Sequence, residues 1–108
     1  MLYKFKSKTT GDVIMLQPNG QRVLEIIGKA TPDGKGIIPP AQMAAAIHAL
    51  EAAIAQEDTD QKAAIADALE RGETPPRFEA ISLRQRALPF MEMLRRCEKA
   101  GTDVVWGV

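Results

Sequence analysis

Residues 82–108, SLRQRALPFMEMLRRCEKAGTDVVWGV, decide the architecture. Leu83, Ala87, Phe90, Leu94 and Cys97 recur there at i, i+4, i+7, i+11 and i+14. At about 100° per residue they fall within roughly 80° of arc, the stripe of a helix that lies on something apolar. Ser82, with Gln85 three residues on, has the capping-box pattern, in which each side chain takes up a free backbone N–H. Arg95, Arg96 and Lys99 crowd the last turns, where cations suit the negative end of the helix dipole. Gly101 offers the left-handed residue that ends a helix, and Asp103–Trp106 resumes as a strand. Pro89 cannot bond the carbonyl of Gln85, so either a kink falls there or Pro89 opens the helix after a separate turn over 82–88. The apolar stripe keeps its phase across the proline, which favours one kinked helix.

The rest of the chain reads as packing partners for this stretch. Leu2–Lys6 alternates, with Tyr3 and Phe5 on one face and Lys4 and Lys6 on the other. That pattern predicts a half-buried strand, whose lysines suit a sheet edge. Val13–Leu16 is a continuous apolar run, expected to be an inner strand covered on both faces. The turn at Thr10-Gly11 makes the two a hairpin. Val23, Ile26 and Ile27 give a short helix face that stops near Gly28, and 36–38 can add a short extended piece. Pro40 is suited to open the next helix, whose stripe is Met43, Ile47, Leu50 and Ile54 out to about Gln56. Its far side carries Ala41, Ala45, Ala49, Ala52 and Ala55, which reflects either helix propensity or close packing against 60–71. In the second case Glu57-Asp58-Thr59-Asp60 is the corner of a helical hairpin, and 57–79 is an insertion or a mobile segment. The sum is α+β: a small sheet, made of the N-terminal hairpin and the C-terminal strand, packed against three to four helices. The last strand is expected beside 13–16, leaving 2–6 at the edge.

The chain of 108 residues is expected to form a single domain over 1–108, large enough for a modest core. Its formal charge is zero, so no global field draws it to nucleic acid or a membrane. Locally the balance is uneven. Residues 1–36 carry six basic and three acidic groups, 37–81 three and eight, and 82–108 five and three. One cysteine excludes an internal disulfide and fits a reducing, cytoplasmic setting. No apolar run has the length of a signal peptide or a membrane span.

The motifs do not carry chemistry. GKATPDGKG at 28–36 fails as a phosphate loop, because its glycine spacing is off by one and no Ser or Thr follows Lys35. As a calcium loop it would put Lys29 at the first ligand position and Pro40 at the last. His48 lies about 140° from its helix's stripe, and no second His or Cys is spaced to share a metal. Cys97 lies on the packing stripe, where a thiol is an inert small hydrophobe. No catalytic residue, cofactor or metal site is therefore expected. Glu57, Asp58 and Asp60 fit a helix start, where the dipole stabilises them.

MLYKFKSKTTGDVIML at 1–16 and SLRQRALPFMEMLRRCEKAGTDVVWGV at 82–108 together resemble a bacterial family of small proteins, the eighteen-forty domain of unknown function. GIIPPAQMAAAIHALEAA, residues 36–53, extends the similarity between them, and 57–79 matches least specifically. The resemblance implies a self-contained domain and transfers no catalytic or binding residue.

The candidate interaction face is Arg84, Arg95, Arg96 and Lys99, with Trp106 at the end of the last strand. Glu92 can pair with Arg95 and Arg96 at i+3 and i+4, which makes a solvated, self-neutralised face the plain reading. Three functions follow. The first is a small interaction or regulatory module with a protein partner, self-associating into a homo-oligomer. The second is a nucleic-acid accessory protein using that face and Lys4, Lys6 and Lys8, disfavoured by the scarcity of stacking aromatics. The third is an enzyme with a pocket near Trp106, ranked last because no acid–base pair is evident.

Overall fold

The computed structural model describes residues 2–32, 34–77 and 83–107. Strands β1 (Leu2–Lys6) and β2 (Val13–Leu16) lead into helix α1 (Gln17–Ile26). Strand β3 (Gly36–Ile38), helices α2 (Pro40–Glu70) and α3 (Leu83–Ala100), and strand β4 (Val104–Trp106) follow. The class is α+β, with the expected hairpin and C-terminal strand in one small sheet and three helices among the described residues.

The sheet order is β2-β1-β4-β3, with every neighbouring pair antiparallel. This corrects the expected position of the last strand: β4 pairs with β1, so β1 is inside and β2 is at an edge. Alternation along β1 reports which face is covered. It does not report whether the strand is central, because a two-layer fold leaves one face of every strand in water. Likewise Val13–Leu16 is not covered on both sides: Met15 is buried, while Ile14 and Leu16 are 55% and 61% exposed.

Phe5 is the centre of the inner face. It stands opposite Trp106 in the ladder, with ring centroids 5.7 Å apart and planes at 58°. From the helical layer Phe90 meets it at 4.6 Å and 55°, tilted geometry that aromatic quadrupoles favour. Gly36 lies across the ladder from Trp106, and a Cβ there would overlap the indole. The predicted stripe of α3 is buried at all five positions, joined by Met91 and Met93. The helix passes through Pro89 unbroken, so one helix is formed and not a turn plus a helix. It ends where expected, with Gly101 at φ 73°. The Ser82 half of the capping box lies outside the described residues.

α2 corrects the reading of 57–60 as a corner: it runs 31 residues without interruption. At 1.5 Å per residue that is roughly 46 Å, which accounts for most of the 53 Å long axis. Glu57–Asp60 contains no glycine or proline, and polar residues alone do not stop a helix. Two side-chain hydrogen bonds fall within the helix at this point. Gln56 Nε2 donates to Asp60 Oδ1 at 2.8 Å, and Thr59 Oγ1 to the Ala55 carbonyl at 3.0 Å. The alanine side of α2 faces water at Ala41, Ala45, Ala52 and Ala55. Those alanines therefore serve helix propensity and no second helix. α1 begins earlier than predicted, because Gln17-Pro18 breaks the strand by opening the helix, with Pro18 in its first turn.

Candidate interaction surface

The register separates the two faces of the sheet. Tyr3, Phe5, Met15, Ile38, Val104 and Trp106 point into the helical layer. The outer face pairs Leu2 with Leu16, Lys4 with Ile14, Lys6 with Val105 and Val105 with Ile37. On that face Leu2 is 57% exposed and Ile37 47%. Leu2, Ile14 and Leu16 form an apolar cluster at the β2 edge, and Lys4 and Lys6 lie between it and Ile37 on β3. Scattered exposed hydrophobes are ordinary, but three adjacent ones at a sheet edge are the pattern of a contact surface. The sequence reading missed this face because it took Val13–Leu16 as an inner strand. An unbroken apolar run carries no signal that tells a covered strand from one with a wet face.

The arginine face is assembled differently from the expectation. Arg84 Nη2 lies 2.8 Å from Asp58 Oδ2, and Arg95 Nη2 lies 3.2 Å from Glu51 Oε1. Both carboxylates belong to α2, so these two arginines line the α2–α3 seam. Neutralisation comes across helices, and among the described residues Glu92 pairs with neither Arg95 nor Arg96. Arg96 and Lys99 are exposed on α3. Glu57 and Asp58 lie in the interior of α2, not at its start, and ion pairs with Arg22 and Arg84 account for them. Trp106 does not belong to any surface among the described residues: it is 0% exposed. Its Nε1 is buried without a hydrogen-bond partner among the described residues.

A shallow cleft of about 420 Å³ opens where β1 leaves the sheet and α3 turns into β4. Lys6, Ser7, Lys8, Thr102 and Asp103 line it. At its base Ser7 Oγ lies 2.9 Å from the buried Cys97 Sγ, and Thr9 and Thr102 hydroxyls meet at 2.7 Å. These hydrogen bonds fasten the β1 turn to the end of α3. Among the described residues neither the hydroxyl nor the thiol is hydrogen-bonded to a carboxylate or an imidazole that could act as its base. His48 is exposed on α2. Among the described residues no three His, Cys, Asp or Glu side chains come together. In the loop before β3, Thr31 Oγ1 donates to the Lys35 carbonyl at 2.8 Å; Asp33 lies outside the described residues.

The fold is thus a two-layer α+β protein with one sheet face packed on helices and the other open. The family described as "Domain of unknown function (DUF1840)" matches residues 1–106, and the chain belongs to it. No curated protein and no solved structure matches the chain. No helix among the described residues is long and apolar enough to cross a membrane.

Proposed function

We propose that this chain is a small interaction or regulatory module of the bacterial cytoplasm that works as a homo-oligomer. The observation that carries the reading is the outer sheet face, where Leu2, Ile14 and Leu16 stand in water beside Lys4. Burying such side chains is worth on the order of 1.5–3 kcal/mol each when complete. A second copy brings the same side chains and is always present at the chain's own concentration. The single cysteine, buried as a free thiol, supports a reducing compartment. The nucleic-acid reading loses support, since Arg84 and Arg95 are engaged by α2 carboxylates. Sedimentation equilibrium over a concentration series tests the proposal. The average mass is expected to rise above one chain with concentration; a mass of one chain throughout overturns it.

A further inference from the structure

We propose that two copies join through β2, antiparallel about a two-fold axis, to form one continuous eight-stranded sheet. The proposal rests on the self-association reading and names its contact. The two edges of the sheet differ in kind. β3 has three residues and runs directly into Pro39 and Pro40, so it is short and proline-blocked, as protected edges are. β2 is four residues, Val-Ile-Met-Leu, with neither charge nor proline. The lysines that would guard an edge sit on β1, one strand inward. An unguarded edge on one side only gives an association that stops at two copies.

Charge and side-chain parity then choose the register. Residues directly opposite in an antiparallel pair share a face, so Ile14 must meet an outer-face residue of its partner. With Ile14 opposite Ile14 of the second copy, Leu16 falls against Asp12, an apolar side chain on a carboxylate. With Leu16 opposite Leu16, Ile14 runs into Pro18, which already belongs to α1. Centring the axis on Met15 sets Ile14 against Leu16 twice, with Leu2 behind each Leu16. Six apolar side chains then form one outer stripe. The two Lys4 side chains flank it at opposite corners, three strand spacings across and two residues along, roughly 16 Å apart. That exceeds the Debye length of about 8 Å, so their repulsion is screened. No like charges meet across the joint. A three-pair ladder is far smaller than the ~800 Å² per partner of a standard interface, so a dissociation constant on the order of tens of micromolar or weaker is expected.

The test compares the wild type with Ile14→Lys/Leu16→Lys by sedimentation equilibrium, with circular dichroism as the folding control. Both side chains are exposed, so the fold is expected to survive and dimer affinity to fall at least ~10-fold. As a second measurement, Ile14→Cys and Leu16→Cys chains are oxidised separately and mixed; the buried Cys97 stays in place. The mixture is expected to give more cross-linked dimer than either chain alone. Undiminished association of the lysine variant overturns the β2 contact while leaving self-association standing. Preferential Ile14→Cys homodimers overturn the register. A wild type of one-chain mass throughout overturns both the contact and the reading beneath it.

Discussion

Glu57 Oε1 accepts the backbone N–H of Leu83, the first described residue of α3, at 3.2 Å. Its other oxygen accepts from Arg22 Nη2 at 2.8 Å. One α2 carboxylate thereby ties α1 to the start of α3, and its side chain is only 17% exposed. Glu57→Ala removes the acceptor from an N–H at a helix start and the partner from a guanidinium. The expected loss is about 1.5–3 kcal/mol, the range for hydrogen bonds to charged groups. Asp58→Ala breaks only the exposed pair with Arg84 and is expected to cost less than about 1 kcal/mol. Urea midpoints at an unchanged m-value measure both.

Gly36 and Gly20 are fixed by what lies against them. A Cβ at Gly36 would overlap the Trp106 indole, and at Gly20 it would lie 2.5–2.8 Å from Tyr3 side-chain carbons. Gly36→Ala is expected to cost about 1–3 kcal/mol or more through overpacking. It also displaces the only tryptophan. The wild type is expected to emit at short wavelength and to resist acrylamide quenching, with Gly36→Ala shifting the emission to the red. Equal quenching of the native and unfolded chains would contradict the burial of Trp106.

Much of this fold was legible where local physics decides it. The 3.6 period of α3, the Gly101 stop and the sharing of one face by Val104 and Trp106 depend on neighbours in sequence. Strand order was not legible, because Tyr3/Lys4/Phe5/Lys6 fixes a face and contains nothing about which strand lies on either side. The unbroken course of α2 past Glu57 was obscured for a related reason. Its acidic cluster answers Arg22 and Arg84, residues 35 and 26 positions away, and no window along the chain contains both partners. The outer face was missed because Ile14 and Leu16 look the same in sequence whether they are covered or wet.

Cys97 is 0% exposed and hydrogen-bonds Ser7. A thiol reagent is expected to modify it only on unfolding, so the labelling rate should follow the opening equilibrium and rise steeply with urea. Ser7→Ala removes the partner from the Sγ and is expected to cost about 0.5–1.5 kcal/mol. Labelling of the native chain as fast as a free thiol would place Cys97 outside the core.

Phe90 is the test of how the helical layer holds the sheet. It lies on the α3 stripe, is 0% exposed, and meets Phe5 at 4.6 Å. Phe5 in turn is the residue on which Trp106 packs. Truncation to alanine empties the junction of α3, β1 and β4, and neither a helix kept rigid by its other core positions nor a hydrogen-bonded ladder can close the gap. The expected cost is about 3–5 kcal/mol, a large share of the ~5–15 kcal/mol that holds native proteins together. Phe90→Leu keeps most of the volume and is expected to cost much less, under about 1.5 kcal/mol. At roughly 4–8 °C per kcal/mol the two variants should separate clearly by thermal melting. A Phe90→Ala melting temperature within a few degrees of the wild type would mean that α3 does not rest on Phe5, and the two-layer packing would fail with it.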